Sequence, residues 1–377
     1  MEQSVRESSA GRHDWRVALA ITVALRVFYS SVAALGASFL HPSEGLIRSN
    51  ALTEMLPPTG GWHYALIGVW ERFDTLWYLH IAERGYDLPG AVVFYPLYPA
   101  LIRALSWVVE PLAAALLIST VAAFFYFLGL LRLARGEFAG ASAERVVLLA
   151  AVWPASFYFF AGYTEALAVA LIVWCIALAR DERWLEATAC AIAAGLTRSA
   201  GTLLIVPLVI MAWRTGRGNK RWLVVLAPSG TVGYWFWLRQ SGRLGMAAAY
   251  GAYWKTSVAP PWTTLWLAIR SLAQRFEPLV LISLIALIFF FIAGVLARRR
   301  AEDRWFSAAV IVHMLLRVCT PALFGAPRYL FPAYAAYLTT GNWTSKLSRS
   351  RFALLCVALF ACNLGWMWAF LSWSLVL

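Results

Sequence analysis

Charge is scarce in this chain. Asp, Glu, Lys and Arg make up 14% of its 377 residues, and acids are the scarcer sign, 19 against 32 Lys and Arg. Cysteine and histidine are also few, five of each. Cys175, Cys190, Cys319, Cys356 and Cys362 all fall inside apolar runs, where a thiol serves as a small core residue. A disulfide framework and a thiolate metal site are thereby excluded. His13, His41, His63, His80 and His313 are scattered without metal-ligand spacing, and the long loop discussed below has no Asp-x-Asp pair. No cofactor is required on these grounds; a divalent metal is left open. No Gly-x-Gly-x-x-Gly follows a strand and no Walker-type glycine loop occurs, so the recognised nucleotide cradles are absent. There is no repeat of fixed period, no low-complexity tract and no second soluble domain, so residues 1–377 read as one domain.

What the chain has is apolar length. Hydrophobic residues make up 61% of it, with 20 tryptophans, and mean hydropathy is +0.67. Apolar runs of about 18 to 25 residues recur, the length of a bilayer-crossing helix, so the expected fold is an all-α polytopic membrane protein. Residues 1–14 read as a disordered cytoplasmic tail. Residues 15–39 form the first span, too long for a signal-peptide core. Further spans are expected at 112–132, 145–161, 165–180, 184–198, 200–213, 222–240, 278–297, 305–323, 328–341 and 351–375, about eleven crossings in all. Residues 41–111 form a large outer loop with amphipathic surface helices; the short apolar run 97–109 is read as a second surface helix or a re-entrant one. Residues 241–277 form a second outer loop, read first as an aromatic belt and alternatively as a lid.

Alternate connections read RLARGEFAGASAER, ARDER, RTGRGNKR, ARRRAEDR and SKLSRSR. With the N-terminal tail they hold more than half of the Lys and Arg. The positive-inside rule therefore puts these segments and the N-terminus in the cytoplasm and the C-terminus outside. The net charge of +13 then faces the cytoplasmic leaflet, and no nucleic-acid partner is needed to explain it.

The stretch Trp70 to Pro99, WERFDTLWYLHIAERGYDLPGAVVFYPLYP, is the polar exception in this apolar chain. From Trp62 to Arg84, apolar positions recur at helical spacing up to Gly85, which predicts one amphipathic helix lying along the bilayer surface. Asp74 sits in it, with Trp77 and Tyr78 three and four residues on, so carboxylate and rings share a side. Arg26, Glu165, Arg198, Arg317 and Arg328 are the other ionisable residues at membrane depth or at the outer face, where charge is costly and seeks a partner or a cavity. Arg26 and Arg317 are read as pairing with a carboxylate or with helix ends. Asp74, Glu165, Arg198 and Arg328 should converge at the outer face. An acid beside several arginines suits a substrate with a hydroxyl to deprotonate and a phosphate to neutralise. Asp74 is the expected base, Arg198 and Arg328 the expected phosphate contacts, and Glu165 an acceptor-orienting or arginine-pairing acid. Trp77, Tyr78, Tyr163, Tyr329 and Lys255 complete the expected substrate contacts.

Four stretches carry a family resemblance. They are Phe73-Asp74 through Tyr86 with Phe94-Tyr95-Pro96-Leu97-Tyr98-Pro99; Pro154 to Phe159 through Tyr163-Thr164-Glu165-Ala166-Leu167; Leu196-Thr197-Arg198-Ser199-Ala200-Gly201; and Arg328-Tyr329-Leu330 with Pro332. In order and spacing the chain resembles the PIG-V-like mannosyltransferases, relatives of the second mannosyltransferase of glycosylphosphatidylinositol assembly, within the integral-membrane GT-C class. The resemblance implies a GT-C-like bundle, a polyprenyl-phosphate sugar donor (usually mannose), inversion at the anomeric carbon, and an outer-face site built from the first large loop. Asp74 falls on the family's loop aspartate, although Phe73-Asp74-Thr75 stands where Trp-Asp-Gly is common. The acceptor is a glycan, lipid or protein hydroxyl, and membrane lipids surround the site. The expected location is the plasma (inner) membrane of a bacterium. The rival reading is a transporter or flippase of a lipid-linked sugar. It would show two related halves, and no such symmetry is visible.

Overall fold

The computed structural model describes residues 2–40, 43, 45–47, 60–138, 141–215, 218–298, 300–318, 323 and 325–374, with the backbone alone for 2–12 and 141. Helix dominates, as it must where backbone groups have no water to bond. The helices are α1 (Glu2–Phe39), α2 (Gly61–Leu66), α3 (Asp74–Arg84), α4 (Leu97–Leu105), α5 (Pro111–Arg135), α6 (Ala141–Ala151), α7 (Glu165–Arg180) and α8 (Trp184–Thr197). They continue as α9 (Ile205–Thr215), α10 (Ser229–Gln240), α11 (Met246–Trp254), α12 (Pro261–Gln274), α13 (Pro278–Phe290), α14 (Ala301–Leu315), α15 (Ala335–Ser345) and α16 (Arg349–Leu371). Short 3-10 turns, a π-helical stretch at Phe291–Leu296 and the four-residue turn Ala326–Tyr329 link them. Among the described residues, strand pairing is confined to β1 (Ser257–Val258) against β2 (Arg317–Val318), antiparallel, with Ser257 opposite Val318.

Among the described residues, four stretches are long and apolar enough to cross a membrane: His13–Phe39, Pro111–Arg135, Pro278–Leu296 and Arg349–Leu371. The protein is thus an all-α chain with the marks of a multi-pass membrane protein. Helix length alone carries four crossings, not the eleven expected from apolar runs. Some of the expected spans are simply short, α7 at 16 and α8 at 14 residues; others are broken locally. Pro154, Pro228 and Pro332 interrupt runs that read as single spans, because proline lacks the N–H of the helical ladder. Residues 145–161, for instance, divide into α6 and a 3-10 turn over Ser156–Phe160.

Two further expectations need correction. The tail 1–14 is not without structure; α1 begins at Glu2, in a proline-free stretch that lets the helix run on. The amphipathic helix predicted over 62–84 is broken between Leu66 and Asp74, where a 3-10 turn, Gly68–Trp70, intervenes. Nor does α3 lie on the surface. Thr75, Leu76, Tyr78, Leu79, His80, Ile81 and Ala82 are buried, because α4 and α5 pack against this helix.

α5 is the central helix, 61% buried in its most apolar window, against 22% for α1 and 28% for α16. It packs along α7, and α7 along α8. Small side chains on both, Ala166, Ala170 and Ala177 against Ala187, Ala191 and Ala194, are buried. They let the backbones approach closely, which is how helices gain contact where lipid offers no hydrophobic drive. Cys175 is buried in this seam, Cys190 and Cys356 are partly buried, and Cys362 is exposed; Cys319 lies outside the described residues.

One end of the bundle is held by ion pairs. Arg135 reaches Asp14 at 3.1 Å and Glu144 at 3.0 Å, and Arg132 reaches Asp181 at 2.6 Å. Arg180 bonds Glu137 at 3.1 Å and Asp303 at 3.0 Å, Arg298 bonds Asp303 at 2.9 Å, and Arg214 bonds Glu302 at 3.1 Å. Arg145 donates to the Leu347 carbonyl at 3.1 Å. The basic connections singled out from sequence therefore meet at a single end. α7 runs from there, at Arg180, to Glu165 about 22 Å away at 1.5 Å per residue.

Candidate functional site

At that opposite end α3 starts abruptly on Asp74. Phe73 before it has φ 49° and ψ −120°, a conformation costing a residue with a Cβ on the order of 1–3 kcal/mol. Ring burial holds it there, with Phe370 at 5.6 Å and Trp373 at 5.0 Å between centroids. The Asp74 N–H donates to the Tyr163 hydroxyl at 3.3 Å. Tyr163 reaches that point because Gly162 presses against α3; a Cβ there would lie 2.6 Å from Thr75 Cγ2. Tyr78, one turn beyond Asp74, bonds Thr164 Oγ1 at 3.1 Å. Glu165, the first residue of α7, is buried.

The arginines arrive on chain reversals. Arg198 ends α8 in an extended conformation, and Gly201 folds back so tightly that a Cβ would lie 2.2 Å from the Ala194 carbonyl carbon. Arg328 sits in the turn Ala326–Tyr329. Its guanidinium is used in three directions: Nη1 to Asp74 Oδ2 at 3.2 Å, Nε to Glu165 Oε1 at 3.1 Å and Nη2 to the Tyr329 hydroxyl at 2.8 Å. Arg198 Nη1 also bonds Glu165 Oε1, at 2.6 Å, and Thr164 Oγ1 at 3.2 Å. Glu165 thus joins both arginines through one oxygen, and its Oε2 is buried without a hydrogen-bond partner.

These groups border a cavity of about 160 Å³. Asp74, Tyr78, Glu165, Arg198, Ser199, His313, Arg317, Arg328 and Tyr329 are among the residues that line it. Burial pushes the Asp74 carboxyl above the ordinary carboxylate range; Arg328 pulls it back and Glu165 adds to the rise. Burial likewise raises Tyr78, which stays a hydroxyl. A carboxylate whose proton affinity is raised, beside fixed positive charge, can take a proton from a neutral hydroxyl and hold an anion close by.

Of the residues expected from sequence, Asp74, Tyr78, Glu165, Arg198, Arg328 and Tyr329 share this cavity. Tyr163 stands behind Asp74 as its backbone partner. Trp77 is not on the wall; it stacks on Phe94 at 5.5 Å and leans on Trp254 at 5.5 Å, two rings that are. Lys255 is exposed and outside the lining, although its neighbours Trp254 and Thr256 are on it; it ends α11 in a left-handed conformation. Arg26, read as pairing with a carboxylate or with helix ends, donates to the Phe160 carbonyl at 2.6 Å, at the end of a 3-10 turn, and to the Leu116 carbonyl at 3.3 Å, within α5. Arg317, expected to serve only such pairing, lines the cavity. So does His313, whose Nε2 lies 3.0 Å from Ser199 Oγ. Their signal was the spacing His313-x-x-x-Arg317 inside an apolar run. In the 241–277 connection, Tyr250, Trp254 and Thr256 line the cavity, while Trp262 and Trp266 are exposed. Among the described residues, no three His, Cys, Asp or Glu side chains gather as a metal-ligand set. No protein-family model matches the chain, and no curated protein matches it.

Proposed function

We propose that the chain is a multi-pass membrane glycosyltransferase of the PIG-V-like, GT-C kind. It moves a sugar, mannose in the leading case, from a polyprenyl-phosphate donor to an acceptor hydroxyl, with inversion. The observation that carries the reading is Asp74: a partly buried carboxylate of raised proton affinity, in one cavity with Tyr78 and three arginines. The four sequence stretches that resemble the family supply Asp74, Glu165, Arg198 and Arg328, and these residues meet there.

The ion-paired end, gathering the basic connections, supports an orientation with that end and the N-terminus in the cytoplasm. The broken runs then make up about eleven passages, some in two pieces around proline. The cavity faces outside, where nucleotide sugars are absent, so the donor arrives activated on a lipid phosphate. The acceptor oxygen attacks the anomeric carbon from the face opposite the phosphate. As the new C–O bond forms, the acceptor proton passes to Asp74 and the old C–O electron pair stays on the phosphate. Asp74 goes from −1 to neutral while the phosphodiester becomes a monoester dianion, so total charge is conserved. Arg328, bonded to Asp74 at 3.2 Å, is released by that protonation toward the phosphate as its charge grows. Interactions that strengthen along the reaction are the ones that accelerate it.

The test is incubation of purified protein with labelled polyprenyl-phosphate mannose and a panel of lipid and glycan acceptors. The expected result is a mannosylated acceptor of inverted anomeric configuration. Absence of transfer across donors and acceptors, by protein shown to be folded, rejects the reading.

A further inference from the structure

Ser199 and His313 stand on the cavity wall and take no part in the proton transfer. Ser199 Oγ lies 3.0 Å from His313 Nε2, and both residues are only partly buried. Ser199 opens the 3-10 turn Ser199–Leu204 directly after α8, and His313 stands in the last turn of α14. Tyr95, also on the lining, brings its hydroxyl within hydrogen-bonding reach of Ser199. Rings complete this part of the wall. Arg317, four residues beyond His313, holds its guanidinium 5.0 Å from the Tyr250 ring and 4.9 Å from the Tyr329 ring. Trp254, one turn after Tyr250 on α11, lies 5.6 Å from Phe94. All four rings line the cavity.

Resting on the transferase reading, we infer that the Ser199–His313 pair, with the Tyr250 and Trp254 rings, is the subsite for the donor's sugar. Sugar hydroxyls are neutral, and each both donates and accepts. Ser199 does the same, and an imidazole that engages Ser199 through Nε2 still offers Nδ1. The rings suit the C–H face of a pyranose, and a few polar groups among apolar ones are what fix a small ligand's orientation. Placement selects the donor sugar over the acceptor. The anomeric carbon carries the phosphate, so the sugar lies beside whatever holds that phosphate. Ser199 directly follows Arg198, which belongs to the charged set through its 2.6 Å bond to Glu165. The pair sets specificity. A sugar lacking the matched hydroxyl would leave Ser199 or His313 short of a partner, which costs more than the lost contact alone.

The test uses the full chain in nanodiscs with farnesyl phosphoryl mannose, its monodeoxy series and farnesyl methyl phosphate. Wild type should bind the mannosyl probe at least about tenfold tighter than farnesyl methyl phosphate, and should lose about tenfold or more in kcat/KM on at least one deoxy donor. Ser199→Ala and His313→Leu should erase that deoxy penalty while affinity for farnesyl methyl phosphate stays at the wild-type level. His313→Gln, which keeps a hydrogen-bonding group, should keep part of the penalty. Folding is checked by thermal unfolding, and Ser199→Ala alone decides where His313→Leu does not fold. A bond that only braced α14 against the turn would slow every donor alike, so unchanged donor ratios in the folded variants overturn the subsite. Wild-type binding of the mannosyl probe no tighter than of farnesyl methyl phosphate overturns it too. Sugar transfer that persists with unchanged ratios removes the subsite and leaves the transferase reading standing. Mannose-dependent binding that needs Ser199 and His313, without sugar transfer to any acceptor, does the reverse.

Discussion

On the proposed reading Asp74 and Arg328 divide the chemistry between them, and their substitutions separate basicity from placement. Asp74→Asn keeps the shape and removes the basicity, so turnover should fall roughly 100-fold or more while donor affinity survives. Glu83→Gln is the fair control, since Glu83 is exposed; Asp87 is less innocent, because it bonds buried His80 at 2.5 Å. The pH profile follows from the raised Asp74 carboxyl. The working form is deprotonated, so the acid limb of kcat should fall at a pH above the ordinary carboxylate range and vanish in Asp74→Asn. Stability runs the other way. A carboxyl raised in the folded state contributes stability below its unfolded pKa and loses it as pH rises through the folded one. Near neutral pH, Asp74→Asn should therefore melt no lower than wild type, measurable by thermal unfolding. Arg328→Ala, by contrast, leaves a buried and a partly buried carboxylate short of a partner and should cost ~3–5 kcal/mol, read as a lowered Tm. Arg328→Lys keeps charge but not the fork that reaches Asp74, Glu165 and Tyr329 together, so it should fold better than Arg328→Ala and still turn over slowly.

The element that matters most is the break before α3. Trp62 to Arg84 has the periodicity of one helix, yet Phe73 is held at φ 49° by rings from the far end of the chain. No local pattern announces that, since Phe370 and Trp373 lie some three hundred residues on. The break is what puts Asp74 on the first turn of α3, facing Tyr163 and the cavity, instead of mid-helix. Gly162 is the contact that fixes the spacing. Gly162→Ala would force its Cβ to within 2.6 Å of Thr75, and such overpacking costs about 1–3 kcal/mol. The expected outcome is a modest loss of Tm with a larger loss of kcat, because the shift is delivered straight to Asp74. Activity falling only in proportion to folded protein would show that Gly162 serves packing alone.

At the scale of the whole molecule, the ion-paired end and the cavity end stand apart along α7. Cysteine introduced at Ser43 should react with an impermeant reagent from outside, and cysteine at Asn219 should be protected until the membrane is opened. The opposite pattern reverses the orientation and takes the outer-face donor argument with it. The ion pairs among Glu137, Arg180, Arg298 and Asp303 tie several connections together. Asp303 has no exposed side-chain surface, so Asp303→Ala should destabilise strongly, since it strands two arginines.

By itself the sequence determined the membrane class, the alternation of basic connections and the short roster of ionisable residues at membrane depth. Each of these is a local property: apolar length, composition of a connection, a charge in an apolar run whose cost demands a partner. Asp74, Glu165, Arg198 and Arg328 were legible for that reason. What only the tertiary structure decided is which charges meet. The partners of Arg328 lie 254 and 163 positions away, at Asp74 and Glu165, and no local pattern encodes a pairing across such separations. The same holds for Trp77 and Lys255, aromatic and basic where a substrate contact was wanted, yet one supports the wall and the other lies outside it. It holds in reverse for Arg317, whose apolar surroundings in sequence concealed a place beside Tyr250 and Tyr329, because packing of distant segments, not neighbours in the chain, sets what a side chain faces.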